Sequence, residues 1–286
     1  MVTGNKIQAS TDFIDSTQLR NAHPKHRSIR LNADGLSFSL LDKEKNTFLG
    51  IREYTFNKID NPKGLSGKVK ELVDRDSILS ESFDSSSVSI DIGVNTLIPQ
   101  AFQSDESDES LLNFIQPTLS SEDLGNDFIR SVEAHNLYPL PSFQLPPSFG
   151  DIQVHSSTVF IDAVLRNVPT DDKTRLFIEV GTNHFHLVGL SNRKLVYFNK
   201  FSFKTKEDFI YYILFTMEQL QMNPEKTPLV IFGEIDQRSP LFSIAYKYIR
   251  FVSFGLRPDG FQFASVLDEL PQHYYFSLFH QHLCES

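Results

Sequence analysis

Two stretches of this chain carry the same order of elements, and that repetition limits the available folds more than any single motif does. The first begins with a strand at Ser28–Leu31, a polar turn Asn32-Ala33-Asp34-Gly35 and an alternating strand Leu36–Leu41. A second turn over Lys43–Asn46 leads to a strand at Thr47–Phe56. A helix over Pro62–Leu79, with Leu65, Val69, Leu72 and Val73 on one face, precedes a strand through Val88, Ile90 and Ile92. The order recurs as strand Thr174–Val180, turn Gly181–Asn183, strand His184–Leu190, turn Ser191–Lys194 and strand Leu195–Phe203. Thr205 with Asp208 then predicts a helix start, and Phe209, Ile210, Ile213, Leu214, Met217 and Leu220 supply its apolar stripe. Leu229–Phe232 is the next strand, and Ser239-Pro240 opens a further helix. Two such units imply an α/β chain of two similarly built halves, with mixed sheets flanked by helices and facing a central cleft.

The halves are expected at residues 28–166 and 167–286, with residues 1–27 as an N-terminal extension. Ser156–Arg166 reads as the helix that joins them, and Asn167–Lys173 as the boundary loop. Ser80–Ser87 and Ser104–Ser110, rich in Ser, Asp and Glu, read as solvated loops.

Composition narrows the function classes. A net charge of -9 without a Lys/Arg-rich run argues against nucleic acid as a partner, because phosphate neutralisation needs a basic surface. Cys284 is the only cysteine, so neither an intrachain disulfide nor a cysteine-cluster metal site can form. Met1–Lys6 lacks the apolar core of a signal peptide, and the densest apolar run, Phe209–Met217, is too short to span a bilayer. A soluble cytoplasmic protein is expected. The 26 Phe and 9 Tyr fall largely at core spacing, including Phe251–Phe279, a segment that could also contribute a partner-docking surface.

The paired hairpins, with I-E-V-G-T at Ile178–Thr182 and L-V-I-F-G-E at Leu229–Glu234, resemble the actin-like ATPase fold of actin, sugar kinases and Hsp70-type chaperones. Within it the chain is most similar to pilus-assembly and secretion-associated actin-like proteins. Val88–Phe102, especially Thr96-Leu97-Ile98-Pro99, resembles an uncharacterised bacterial family of unknown function with that fold. The resemblance spans roughly Ser28–Leu270. It implies a nucleotide held between two ribonuclease-H-like halves, each hairpin offering an acid and a glycine to metal and phosphates.

Carried onto this chain, the resemblance places Glu179, Gly181 and Thr182 at the second hairpin and Gly233 at the later glycine motif. The first hairpin departs from the pattern. Arg30 stands at the acidic position and Asn32 at the glycine, unless a register shift lets Asp34 and Gly35 substitute. Glu234 follows Gly233, where a bulky anion would repel phosphate. Phosphoryl transfer depends on metal-held oxygens and closely positioned donors. The expectation is therefore a non-catalytic or weakly nucleotide-binding protein that serves as a binding or assembly module with a protein partner. ATP and Mg are compatible with Asp34, Gly35, Glu179, Gly181, Thr182 and Gly233 but not required. The alternative is an active Mg-ATP-dependent ATPase or phosphotransferase using Glu179 and Asp34.

Other chemistry is weakly signalled. His184 and His186 alternate on one strand face but lack a third ligand nearby in the sequence, and His280, His282 and Cys284 repeat the spacing in the tail, so no metal is expected. Gly64-Leu65-Ser66-Gly67-Lys68 is followed by Val69 and preceded by Pro62 where a phosphate loop needs glycine. No G-x-S-x-G elbow is present.

Overall fold

The computed structural model describes residues 9–56, 62–103, 124–140, 145–149, 152–169 and 171–284. In chain order the first part contains β1 (Ala9–Ile14), α1 (Ser16–Asn21), β2 (Lys25–Asn32), β3 (Gly35–Asp42), β4 (Thr47–Thr55), α2 (Pro62–Arg75), α3 (Ser77–Ser80) and β5 (Ser85–Asp91). It continues through β6 (Thr96–Pro99), β7 (Leu124–Ile129), β8 (Ala134–Pro139), β9 (Ile152–His155) and α4 (Ser156–Asn167). The second part contains β10 (Arg175–Val180), β11 (His184–Ser191), β12 (Lys194–Ser202), α5 (Lys206–Gln219), β13 (Leu229–Gly233), α6 (Pro240–Tyr248), β14 (Val252–Phe254), β15 (Gln262–Phe263) and α7 (Phe276–His280).

The repeated unit is present in both sheets. Strands β4-β3-β2-β5-β9 and strands β12-β11-β10-β13-β14 lie in the same spatial order. In each, the first three strands are antiparallel and the last two join parallel to the third. Even the irregularity is shared: register shifts fall at Leu40/Leu41 in one unit and Gly189/Leu190 in the other, just before the second turn. In the second unit that turn is Asn192-Arg193, both with positive φ, as a tight twisted hairpin demands.

Some segments differ from the sequence expectation. Residues 9–14, expected in an extension, form β1 and pair with β4, while β15 returns from the second part to continue along the same strand. The helix expected over Pro62–Leu79 is interrupted at Asp76. That carboxylate caps Ile78 N (2.8 Å) and accepts from Arg52 (3.0 Å) and Tyr54 (2.8 Å), which fixes the break. Ser85–Ser87, expected in a solvated loop, belong to β5, and Ser87 is buried against Gln281. Ser104–Ser110 lie outside the described residues. Between β5 and β9, strands β6-β8-β7 form a small separate sheet. Asp127 pins it to the start of α4 by accepting from Tyr138, Thr158 and the His155 N–H at 2.7–2.8 Å.

Strand alternation sets the layers. In the first sheet Ile29, Leu31, Val88 and Ile90 pack outward under α1, α2 and α3 through Leu19, Leu65, Val69, Leu72 and Leu79. In the second, Leu176, Ile178, Phe185 and Leu187 pack outward under α5 and α6. The expected capping box opens α5: Thr205 Oγ1 accepts from Asp208 N and Asp208 accepts from Thr205 N. The inner faces meet around α4 and α7. Phe276 stacks on Phe232 (3.8 Å between centroids) beside Phe160 of α4, whereas Leu278 and Phe279 pack on Leu41 and Phe48 of the first sheet. Within Phe251–Phe279 the rings of Tyr275, Phe276 and Phe279 are core, whereas Phe251 and Leu256 are exposed.

Phe276→Ala is expected to remove about 3–5 kcal/mol of stability, as a deleted core ring does, measured by urea unfolding followed through far-UV circular dichroism. A loss under 1 kcal/mol would mean that α7 does not hold the sheets as described.

Candidate functional site

The alternation that sends apolar residues outward sends the opposite-parity residues inward, and many of these are polar. In the first sheet Ser89, Arg30, Ser37 and Glu53 lie side by side across β5, β2, β3 and β4. In the second, Glu179, His186 and Lys200 form the matching row across β10, β11 and β12. Burying such rows requires partners for their charges.

Glu179 is 5% exposed, and its Oε1 accepts from Ser277 N (3.1 Å) and its Oε2 from Ser277 Oγ (2.8 Å). Arg30 Nη1 stands 3.6 Å from Oε2, so this carboxylate joins the two sheets and the first residues of α7. Burial alone would lower the pKa of Arg30; Glu179, then Asp91, Glu53 and Glu234, outweigh it and hold the guanidinium firmly charged. Asp91, at the end of β5, meets Lys200 Nζ (2.6 Å), His184 Nε2 (2.9 Å) and His186 Nε2 (3.5 Å) from the other sheet. Burial opposes ionisation of Asp91, but Lys200, His186 and His184 hold its carboxyl well below the usual range.

The two hairpin turns converge on one crevice of about 170 Å³, lined by Asn32, Ala33 and Asp34 on one side and Asn183, His184, Lys200 and Ser202 on the other, with Asp91, Ile92 and Gly93 between. Among the six residues expected to bind a nucleotide, Asp34 lines this crevice. Gly35 begins β3, where a Cβ would stand 2.7 Å from the Tyr54 carbonyl oxygen. Glu179 faces Ser277 and Arg30 instead. Gly181 opens the second turn with its N–H on the His184 carbonyl (2.9 Å), and Thr182 is exposed at the tip. Gly233, at φ +98°, has its N–H on the His273 carbonyl (3.0 Å). A Cβ there would lie 2.2 Å from the Val180 oxygen, so close passage of β13 and β10 accounts for this glycine.

Asp91 and Lys200 were not singled out by sequence reasoning. The available signal was parity: Val88 and Ile90 face outward on β5, so Asp91 faces inward with the histidines. The tail histidines are packed rather than free. His280 Nδ1 donates to the Phe276 carbonyl (2.8 Å), and burial pushes its pKa down to about 4.

The family described as "Protein of unknown function (DUF3822)" matches residues 15–252 of the chain. The chain belongs to this family. No curated protein matches this family member by sequence. A protein with actin-like ATPase fold and unknown function from Bacteroides thetaiotaomicron VPI-5482 matches it with a TM-score of 0.75 at 19% identity, over 95% of this chain and 99% of that one. The PilM-PilN type IV pilus biogenesis complex matches with a TM-score of 0.54 at 10% identity, over 90% of this chain and 96% of that one. This DUF3822 member thus has the actin-like ATPase fold. Among the described residues no helix is long and apolar enough to cross a membrane.

Two outcomes follow from the charges. Arg30→Met is expected to cost about 3–5 kcal/mol in urea unfolding, because it strands Glu179 among protein atoms, and Arg30→Met with Glu179→Gln should recover part of that loss. Glu234 reaches solvent but is crowded by protein, and that crowding, with Glu53 next, pushes its pKa up to about 7. The folded state then binds more protons than the unfolded one between the ordinary glutamate range and pH 7, so stability falls as pH rises through that window. Glu234→Gln should flatten this part of the stability profile relative to the wild type; an unchanged slope would show that Glu234 does not titrate there.

Proposed function

We propose that the protein is a non-hydrolysing actin-like binding or assembly module that works with a protein partner in the cytoplasm. The observation that carries this reading is the use of Glu179 by Arg30 and Ser277. A phosphoryl-transfer site needs that acid free to act through a metal, and needs backbone donors free for phosphate oxygens. Here the acid is neutralised across the cleft, and the Gly181 and Gly233 N–H groups bond to the chain's own carbonyls. A crevice of about 170 Å³ also falls below the range of roughly 300–1,000 Å³ usual for small-molecule sites.

The partner reading is supported by the similarity to the PilM component of a complex with PilN, a protein of this fold engaged with another protein. It is also supported by aromatic side chains left in water on the outer helices of the second half. Tyr211 and Phe215 stack on the exposed side of α5, and Tyr246 and Tyr248 are exposed on α6. Large exposed aromatic groups are the usual anchors of protein interfaces.

Titration of the purified chain with Mg-ATP by calorimetry, with phosphate release measured in parallel, tests the proposal. No turnover and weak or absent binding are expected. Turnover that is abolished by Glu179→Ala, and reduced by Thr182→Val at the exposed turn, would establish the ATPase alternative instead.

A further inference from the structure

The geometry points to a zinc-type divalent metal site formed by Asp91, His184 and His186, joining the two halves at the base of the crevice. One ligand atom from each of these residues can be chosen so that all three lie within 4.8 Å of one another. His184 Nε2 is 2.9 Å and His186 Nε2 3.5 Å from the Asp91 carboxylate. Tetrahedral coordination with bonds near 2.0–2.1 Å places neighbouring ligand atoms roughly 3.4 Å apart, so small side-chain movements would admit the ion. The donor set also specifies the kind of ion. Two imidazole nitrogens and one carboxylate suit zinc and its neighbours, whereas magnesium prefers oxygen ligands and retained water.

His186 provides the observation that a structural ion pair leaves unexplained. Its side chain is 2% exposed, yet Nε2 makes no hydrogen bond and is directed toward Asp91. A buried ring nitrogen without a hydrogen-bond partner is costly unless something else takes its lone pair. Its other nitrogen, Nδ1, faces Glu179 Oε2 at 4.0 Å, beyond hydrogen-bond distance, so that carboxylate would orient a metal-binding imidazole only after closing on the ring. His184 is only partly buried and lines the crevice with Asp91, which gives an ion a route in and leaves a coordination position toward solvent.

Lys200 is the competitor. Its ammonium lies 2.6 Å from Asp91 Oδ1 and 3.4 Å from the Gly93 carbonyl, so a metal ion and Lys200 contend for the same oxygen. This gives the proposal a signature that a purely structural cluster would not show. Removing Lys200 should strengthen metal binding while weakening the metal-free fold.

The test is calorimetric titration of the full chain with Zn²⁺ in a non-chelating buffer, repeated with Co²⁺ while the visible absorption of the cobalt form is recorded. One ion per chain is expected, with intense absorption of low-coordinate cobalt and no competition from excess Mg²⁺. His184→Ala and His186→Ala should each weaken binding by at least roughly tenfold, and Lys200→Met should tighten it. His184→Ala, at the crevice edge, keeps the test decisive if His186→Ala does not fold. Failure of both the wild type and Lys200→Met to bind Zn²⁺ would overturn the proposal. So would binding that persists in His184→Ala but is lost in His282→Ala, which would place the ion in the tail.

Discussion

The structure depends on how a single carboxylate, Glu179, is satisfied. It lies on the inner face of the second sheet, where the nearest cation comes from the first sheet as Arg30 and the hydrogen-bond donors come from α7 as Ser277. Three elements remote in sequence therefore converge on one group. A charge kept largely from water must be compensated, and compensation from separate elements makes each a condition for the others. The surrounding rows follow the same rule: Asp91 from the first sheet is matched by Lys200 and the histidines of the second.

The C-terminal segment converts this local pairing into a global one. At five residues, α7 is too short to be helical by itself, so its order must come from what it touches. Phe276 touches the second sheet, Leu278 and Phe279 the first, and Gln281 donates to the Ile29 carbonyl at 3.1 Å. Separating the two sheets would expose those apolar faces and uncover Glu179 at once.

The repeated unit was legible in sequence because its signals are local. Period-two alternation, the Asn192-Arg193 turn and the Thr205/Asp208 cap each lie within a few residues. What escaped was set by distance along the chain. Ser277 is 98 residues from Glu179, and His184 is 93 residues from Asp91, so no window of sequence contains either pairing. The break at Asp76 escaped for a similar reason: α2 continues in pattern, but the carboxylate is claimed by Arg52, 24 residues earlier. Gly233 was legible as a glycine close to backbone, and a strand neighbour requires that as well as a phosphate does, whereas at Gly181 a Cβ would meet the His184 ring. The role of Arg30 was visible only as a departure from the family pattern; its partner makes that departure a structural element.

The balance of charge about the crevice ties these points to function. Asp34, Asp91 and Lys200 line it, and beyond its lining Glu179, Glu53 and Glu234 act on Arg30. Acids outnumber bases there, and Glu234 is pushed toward its neutral form partly because Glu53 and Asp34 are close. In a crevice walled by protein such charges are poorly screened, so these carboxylates and cations act strongly on one another. Arg30 thus neutralises the second hairpin's carboxylate across the two sheets. What the inner faces hold is a set of carboxylates that join the two sheets through the cations Arg30 and Lys200.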